Sequence, residues 1–250
     1  MSIFDRDEFN ESLFLPRPDA SPPPVGASEW MIDVEGARLH VRLYASPATS
    51  GTLLLFHGNG EIVADYDAAA SRFARAGVAL AVMDYRGYGR STGIPTLRTL
   101  ISDARRVAEV VRPHVVMGRS LGGVAAHELY AHPIAGMAGV ILESAMFELA
   151  NLVRRRGLVP PASFTDDERR AFEPAAKLAL GRLPLLVLHG ERDEVIALEE
   201  ARSALAAAGT AVADKALVVV PRRGHNDVSN ADAYWDALAR FVARLPSARN

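Results

Sequence analysis

The sequence of 250 residues is 49% apolar and 23% charged with a formal net charge of −2, which fits one large α/β domain. It offers neither a basic stripe for nucleic acid nor an acidic tail. With no cysteine, a disulfide framework, a thiolate metal site and a cysteine nucleophile are all excluded.

The segment from Met1 to Glu8 is acidic and lacks the basic-then-apolar order of a signal peptide. The most apolar long window, Ala135 to Val153, is interrupted by Glu143 and Glu148 and makes a poor membrane span. A cytoplasmic protein with no stable membrane anchor is expected. Lysine occurs only at Lys177 and Lys215 against abundant arginine and alanine, a bias that fits a GC-rich bacterial genome.

Residues 1–28 carry Pro16, Pro18 and Pro22-Pro23-Pro24, which cannot donate ladder hydrogen bonds, and read as an arm laid over the domain, partly disordered at its start. Trp30 to Val34 and Arg38 to Tyr44, joined through Gly36, predict an antiparallel hairpin at a sheet edge. The unbroken apolar run Thr52 to Phe56 predicts a strand covered on both faces, ending in His57-Gly58-Asn59-Gly60. A helix over 62–76 closes at Gly77, and Val78 to Met83 is the next strand, followed by the loop Asp84 to Ser91.

Leu97, Leu100, Ile101, Ala104, Val107, Ala108 and Val111 recur at helical spacing until Pro113. Val115 to Met117 then runs as a strand into Gly118-Arg119-Ser120-Leu121-Gly122, with a helix from Leu121 to about Ala131 and a strand from Ala138 to Leu142. Residues 147–182, with Arg154-Arg155-Arg156, Pro160-Pro161 and a run of charges from Asp166 to Arg170, read as a short helical cap inserted over the strand ends. The remaining 29–146 and 183–250 form the core. Within it, strands at Leu185 to Leu188 and Leu217 to Val220 alternate with helices at about 198–208 and 231–245. Such alternation implies a parallel sheet with helices on both faces and functional loops at the carboxyl ends of the strands.

A G-x-S-x-G turn between strand and helix lifts its serine above the sheet, and its glycines let the two elements approach closely. A serine hydroxyl needs a base to take its proton, and the base needs a carboxylate to hold its tautomer. Ser120, Asp193 and His225 each follow a predicted strand, in the chain order serine, acid, histidine. Glu143, Glu191 and Glu194 are alternative acids, of which Asp193 best matches that order. Asp227 is too near His225 along the chain to orient its ring, and its expected role is to charge or cap the last helix. An oxyanion hole needs two donors, expected from the backbone amides of Leu121 and Asn59. His57 is expected to brace its loop, and His40, His114, His127, His132 and His189 stand singly, without the spacing of a zinc site. The arginine run is expected to be a solvated face, and Asp84 and Arg86 to structure their loop.

Over residues 30–245 the segments His57 to Gly60, Asp84 to Ser91, Gly118 to Gly123 and Gly224 to Asp227 resemble the α/β-hydrolase superfamily, in its ABHD-type branch of small-cap serine hydrolases. The resemblance implies a mostly parallel, eight-stranded twisted sheet, a triad of Ser120, His225 and Asp193, and oxyanion donors on Asn59 and Leu121. It implies no metal and no organic cofactor. Members hydrolyse esters or long-chain thioesters, including acyl groups on proteins, and some are described as peptidase-like. This sequence lacks the amino-terminal membrane helix or lipidated cysteine cluster of the membrane-associated members, which argues against depalmitoylation at a membrane. The expected activity is hydrolysis of a small or medium acyl ester through an acyl-enzyme on Ser120. Thioester hydrolysis, acyl transfer, peptidase activity and a non-catalytic binding role on the same scaffold are the alternatives.

Overall fold

The structure, a computed structural model, describes residues 2–46, 49–158, 164–211 and 214–247. Pro160-Pro161 of the expected cap lie outside the described residues. Eight strands form one sheet in the order β1-β2-β4-β3-β5-β6-β7-β8. They are β1 Ala27–Val34, β2 Ala37–Tyr44, β3 Thr52–Phe56, β4 Ala79–Met83, β5 Val115–Arg119, β6 Gly139–Glu143, β7 Leu185–Gly190 and β8 Lys215–Val220. The β1–β2 and β2–β4 pairings are antiparallel and all others parallel.

Because side chains alternate along a strand, the apolar run of β3 serves both faces: Leu54 and Phe56 enter one core cluster, Leu53 and Leu55 the other. The first face is covered by α3 Leu97–Val111, α4 Gly123–Ala131 and α8 Leu198–Ala207, and the second by α2 Ala70–Arg75 and α9 Asp232–Arg244.

Three expectations are corrected. The helix over 62–76 is split into a 3-10 turn, Val63–Tyr66, and the short α2. The Val63 N–H donates to Asp84 Oδ1 at 2.9 Å and the Asp67 carboxylate accepts from Arg42 at 2.7 Å, so this stretch is tied to two strands before a full helix can form. The amino-terminal arm carries regular structure from Ile3. A 3-10 turn, Ile3–Asp5, and α1 Asp7–Leu13 bury Phe4, Phe9 and Leu13, with the Phe4 and Phe9 rings edge to face at 5.2 Å.

Within 147–182 lie α5 Leu149–Arg155, α6 Asp166–Phe172 and α7 Pro174–Leu180, and α7 belongs to the core helix layer. Its Leu178 is fully buried, and its Lys177 forms a 2.7 Å ion pair with Glu128 of α4. Parallel strands β6 and β7 need a crossover helix between them, and α7 supplies it.

Candidate active site

Parallel pairing of β3 with β5 sets Phe56 beside Gly118, so the loop after β3 and the turn after β5 emerge side by side. Ser120 has φ +50°, a left-handed conformation strained for a residue with a side chain. The flanking glycines are required by contact. A Cβ on Gly118 would stand 2.5 Å from the Gly122 carbonyl oxygen, and one on Gly122 would stand 2.0 Å from that of Phe56.

His225, in the loop after β8, places Nε2 2.9 Å from Ser120 Oγ. Its Nδ1 is 2.9 Å from Asp193 Oδ2 and 3.1 Å from Oδ1. Asp193 follows β7, and its Oδ1 also accepts the N–H groups of Val195 at 2.9 Å and Ile196 at 2.8 Å. Burial by itself would raise the Asp193 carboxyl, but the hydrogen bonds from His225 and these amides outweigh it and hold the group below its ordinary range.

The alternative acids are engaged elsewhere. Glu143 accepts from the Tyr234 hydroxyl at 2.6 Å and meets Arg119 at 3.2 Å; full burial pushes its carboxyl up. Glu191 accepts the Arg222 N–H at 2.7 Å, and the Glu194 carboxylate lies against Gly224. Asp227 does not cap the last helix. It accepts the Gly224 N–H at 2.7 Å and so closes a turn around His225.

The two expected oxyanion donors sit on adjoining loops: Leu121 follows Ser120 at the start of the elbow, and Asn59 lies in the turn after β3. His57 is fully buried, with Nδ1 2.8 Å from the Gly58 carbonyl and its ring 4.1 Å from that of Tyr85; burial lowers its pKa. Asp84 accepts from His40 at 2.7 Å, and Arg86 forms a fork onto Asp103 at 2.7 and 2.8 Å.

Single-residue reading missed several contacts. His189 Nε2 is 2.9 Å from the Ile196 carbonyl and 3.5 Å from Asp193 Oδ2, so it braces the acid's loop. Of the arginine run Arg154 is exposed, as expected of a solvated face, whereas Arg155 pairs with the buried Glu200 and Arg156 reaches the Ser12 carbonyl of the arm at 3.4 Å. Desolvation with a neighbouring cation, Arg155, depresses the Arg156 pKa. Among the described residues no cluster of His, Asp or Glu could hold a metal ion, and no helix is long and apolar enough to cross a membrane.

Residues 47–166 match the family described as serine aminopeptidase, S33. The human alpha/beta hydrolase domain-containing protein 17B is 30% identical over 215 residues, covering 80% of this chain and 68% of that protein. The protein bem46 of Schizosaccharomyces pombe is 28% identical over 210 residues, covering 79% of this chain and 69% of its own. Among solved structures, an esterase of Pyrococcus furiosus superposes with a TM-score of 0.73 at 14% identity, covering 93% of this chain and 99% of that one.

Proposed function

The chain belongs to the α/β-hydrolase superfamily, in its ABHD-like branch, and from that premise we propose that it is a serine esterase with Ser120 as nucleophile, His225 as base and Asp193 as orienting acid. The observation that carries this reading is the hydrogen-bonded series from Ser120 Oγ to His225 Nε2, and from His225 Nδ1 to Asp193, with 2.9 Å at both joints.

His225 takes the hydroxyl proton as Ser120 Oγ attacks the ester carbonyl. The oxyanion is held by the amides of Leu121 and Asn59, and the proton passes from His225 to the departing alkoxide, leaving an acyl-enzyme. Water, deprotonated by the same imidazole, attacks the acyl carbon; the acid departs and Ser120 recovers its proton. The buried Asp193 carboxylate keeps the proton on Nδ1 and so leaves Nε2 as the acceptor, while balancing the imidazolium that forms.

A fluorophosphonate probe, from which fluoride departs as the serine oxygen bonds phosphorus, tests the nucleophile. Labelling of the wild type but not of Ser120→Ala, with loss of nitrophenyl ester hydrolysis in the variant, is the expected result. Equal labelling of both proteins would overturn the reading. The same assay run on nitrophenyl esters and thioesters of graded acyl length separates esterase from thioesterase.

A further inference from the structure

Arg119 occupies the variable position before the nucleophile, and its side chain is only 12% exposed. A guanidinium is a planar fork of five donors, suited to joining several acceptors at fixed angles. Here Nη1 lies 2.6 Å from Glu61 Oε1, Nε 3.2 Å from Glu143 Oε1, and Nη2 2.9 Å from Asn226 Oδ1 and 3.4 Å from the His225 carbonyl.

Glu61, Asn226 and the His225 carbonyl belong to loops that the proposed chemistry uses. The other oxygen of Glu61 accepts the Gly58 N–H and the Tyr66 hydroxyl, both at 2.7 Å, so Glu61 closes the turn that holds Asn59. The Gly58 backbone lies directly against the guanidinium: a Cβ there would stand 2.3 Å from Arg119 Nη1. Asn226 is the neighbour of His225, and its side chain is exposed. Glu143, paired in register with Arg119 across β5 and β6, supplies a second carboxylate and anchors the fork to the sheet. Two carboxylates around one cation compensate its burial.

We propose that Arg119 is a positioning residue that locks the serine turn, the Asn59 turn and the His225 loop into one geometry through Glu61 and Asn226. This rests on the serine-esterase reading above. Arg119 reaches the reacting atoms only through these neighbours. Its leverage is geometric, since a misplacement of about 1 Å in a catalytic constellation can cost roughly 10²-fold in rate. A cavity of about 170 Å³, with Arg119, Glu61, Glu143 and Asn226 on one side and Phe73 and Trp235 also in its lining, adjoins the fork, so a shorter side chain at 119 leaves space for water beside these polar groups and need not collapse the sheet edge.

The test uses the full chain with nitrophenyl ester turnover and fluorophosphonate labelling rates. Arg119→Lys keeps the charge but not the fork, and Asn226→Ala removes the exposed acceptor beside the imidazole. Both are expected to lower kcat and labelling about tenfold or more with KM within about twofold. Asn226→Asp, which keeps an acceptor oxygen, is expected to restore kcat to within about threefold of wild type, a rescue that lost stability alone would not produce. Wild-type kcat and labelling in Asn226→Ala overturn the proposal, and that variant decides the matter if Arg119→Lys fails to fold. A wild type that neither labels nor turns over fails the esterase reading itself. A reactive wild type with unaffected variants fails only the role of Arg119.

Discussion

The side chain of Asn59 stitches the amino-terminal arm to the turn after β3: its Nδ2 donates to the Leu13 carbonyl and its Oδ1 accepts the Leu15 N–H at 3.0 Å. The Tyr88 hydroxyl donates to the same Oδ1 at 2.7 Å. Asn59→Ala removes all three bonds while keeping the backbone N–H proposed as an oxyanion donor. The expected cost is about 1–3 kcal/mol in urea unfolding, since the partners lose a side-chain hydrogen bond each. Limited proteolysis should cut first between residues 13 and 18, where the arm has lost its clamp. Unchanged stability and protection would show that the arm is held by its phenylalanines alone.

Those phenylalanines make a separate prediction. Phe4 is 0% exposed, packs on Phe9, and lies with its ring centroid 4.9 Å from that of Phe172 at the end of α6. Phe4→Ala is expected to cost about 3–5 kcal/mol in chemical denaturation, the range for truncating a buried aromatic. A loss under about 1 kcal/mol, as for an exposed residue, would mean that the arm is detached in solution.

The central strands were legible because an apolar run such as Thr52–Phe56 has few alternatives, and the hairpin because Gly36, at φ +73°, makes its turn. The order of Ser120, Asp193 and His225 along the chain was legible too. What joins them to the rest was not. The fork of Arg119 depends on Glu61 and Asn226 from two loops and on Glu143 at the end of β6, and Asn59 meets residues more than forty positions away. The polarity of residues 147–182 suggested a cap and Arg154-Arg155-Arg156 a solvated face, yet Lys177 and Arg155 find carboxylates on Glu128 and Glu200 that no local pattern announces. Partners fixed by tertiary contact leave no periodic trace in the sequence.

His127 is fully buried in α4, and neither ring nitrogen has a hydrogen-bond partner among the described residues. Burial, with the nearby Lys177 cation, pushes its pKa down from 6.5 to about 3. The unfolded imidazole takes up a proton as pH falls through 6.5, whereas the folded one resists until about 3, so the folded state loses ground across that window. At pH 5 the loss is about 2 kcal/mol, from roughly 1.5 units at 1.36 kcal/mol each. His127→Leu should therefore gain about 2 kcal/mol on wild type between pH 8 and pH 5, read from urea midpoints. A parallel pH dependence in the two proteins would contradict a buried neutral imidazole.

Asp84 acts in the opposite range. Burial would raise its carboxyl, but hydrogen bonds from His40 and the Val63 N–H and the nearby His57 outweigh burial and lower it below 3.8. A depressed carboxyl contributes stability that is present above its unfolded value and lost as pH falls through the folded one. Asp84→Asn is expected to cost about 3 kcal/mol at pH 7, with the gap to wild type closing below about pH 4. Denaturation curves at intervals from pH 7 downward check this: the gap should narrow as pH falls from 3.8 through the depressed folded value, and a gap that does not change with pH would assign the loss to shape and not charge.

Gly122 gives the sharpest separation of geometry from stability. A Cβ there would stand 2.0 Å from the Phe56 carbonyl oxygen and 2.9 Å from that of His57, both backbone atoms that no side-chain rotation can move aside. Gly122→Ala must therefore push the end of β3 away from the serine turn. The two amides proposed as oxyanion donors lie on opposite sides of that gap, so their spacing changes even if the sheet survives. The expected stability loss is about 1–3 kcal/mol, as for overpacking, whereas fluorophosphonate labelling should fall roughly 10²-fold. Gly136→Ala is the control: φ is +92° and nothing lies within 4 Å of its Cβ, so it carries backbone strain without a clash near the site. It should lose about 1 kcal/mol and label at the wild-type rate. Equal labelling of Gly122→Ala and Gly136→Ala, both folded, would mean that the approach of β3 to the serine turn does not govern the reaction.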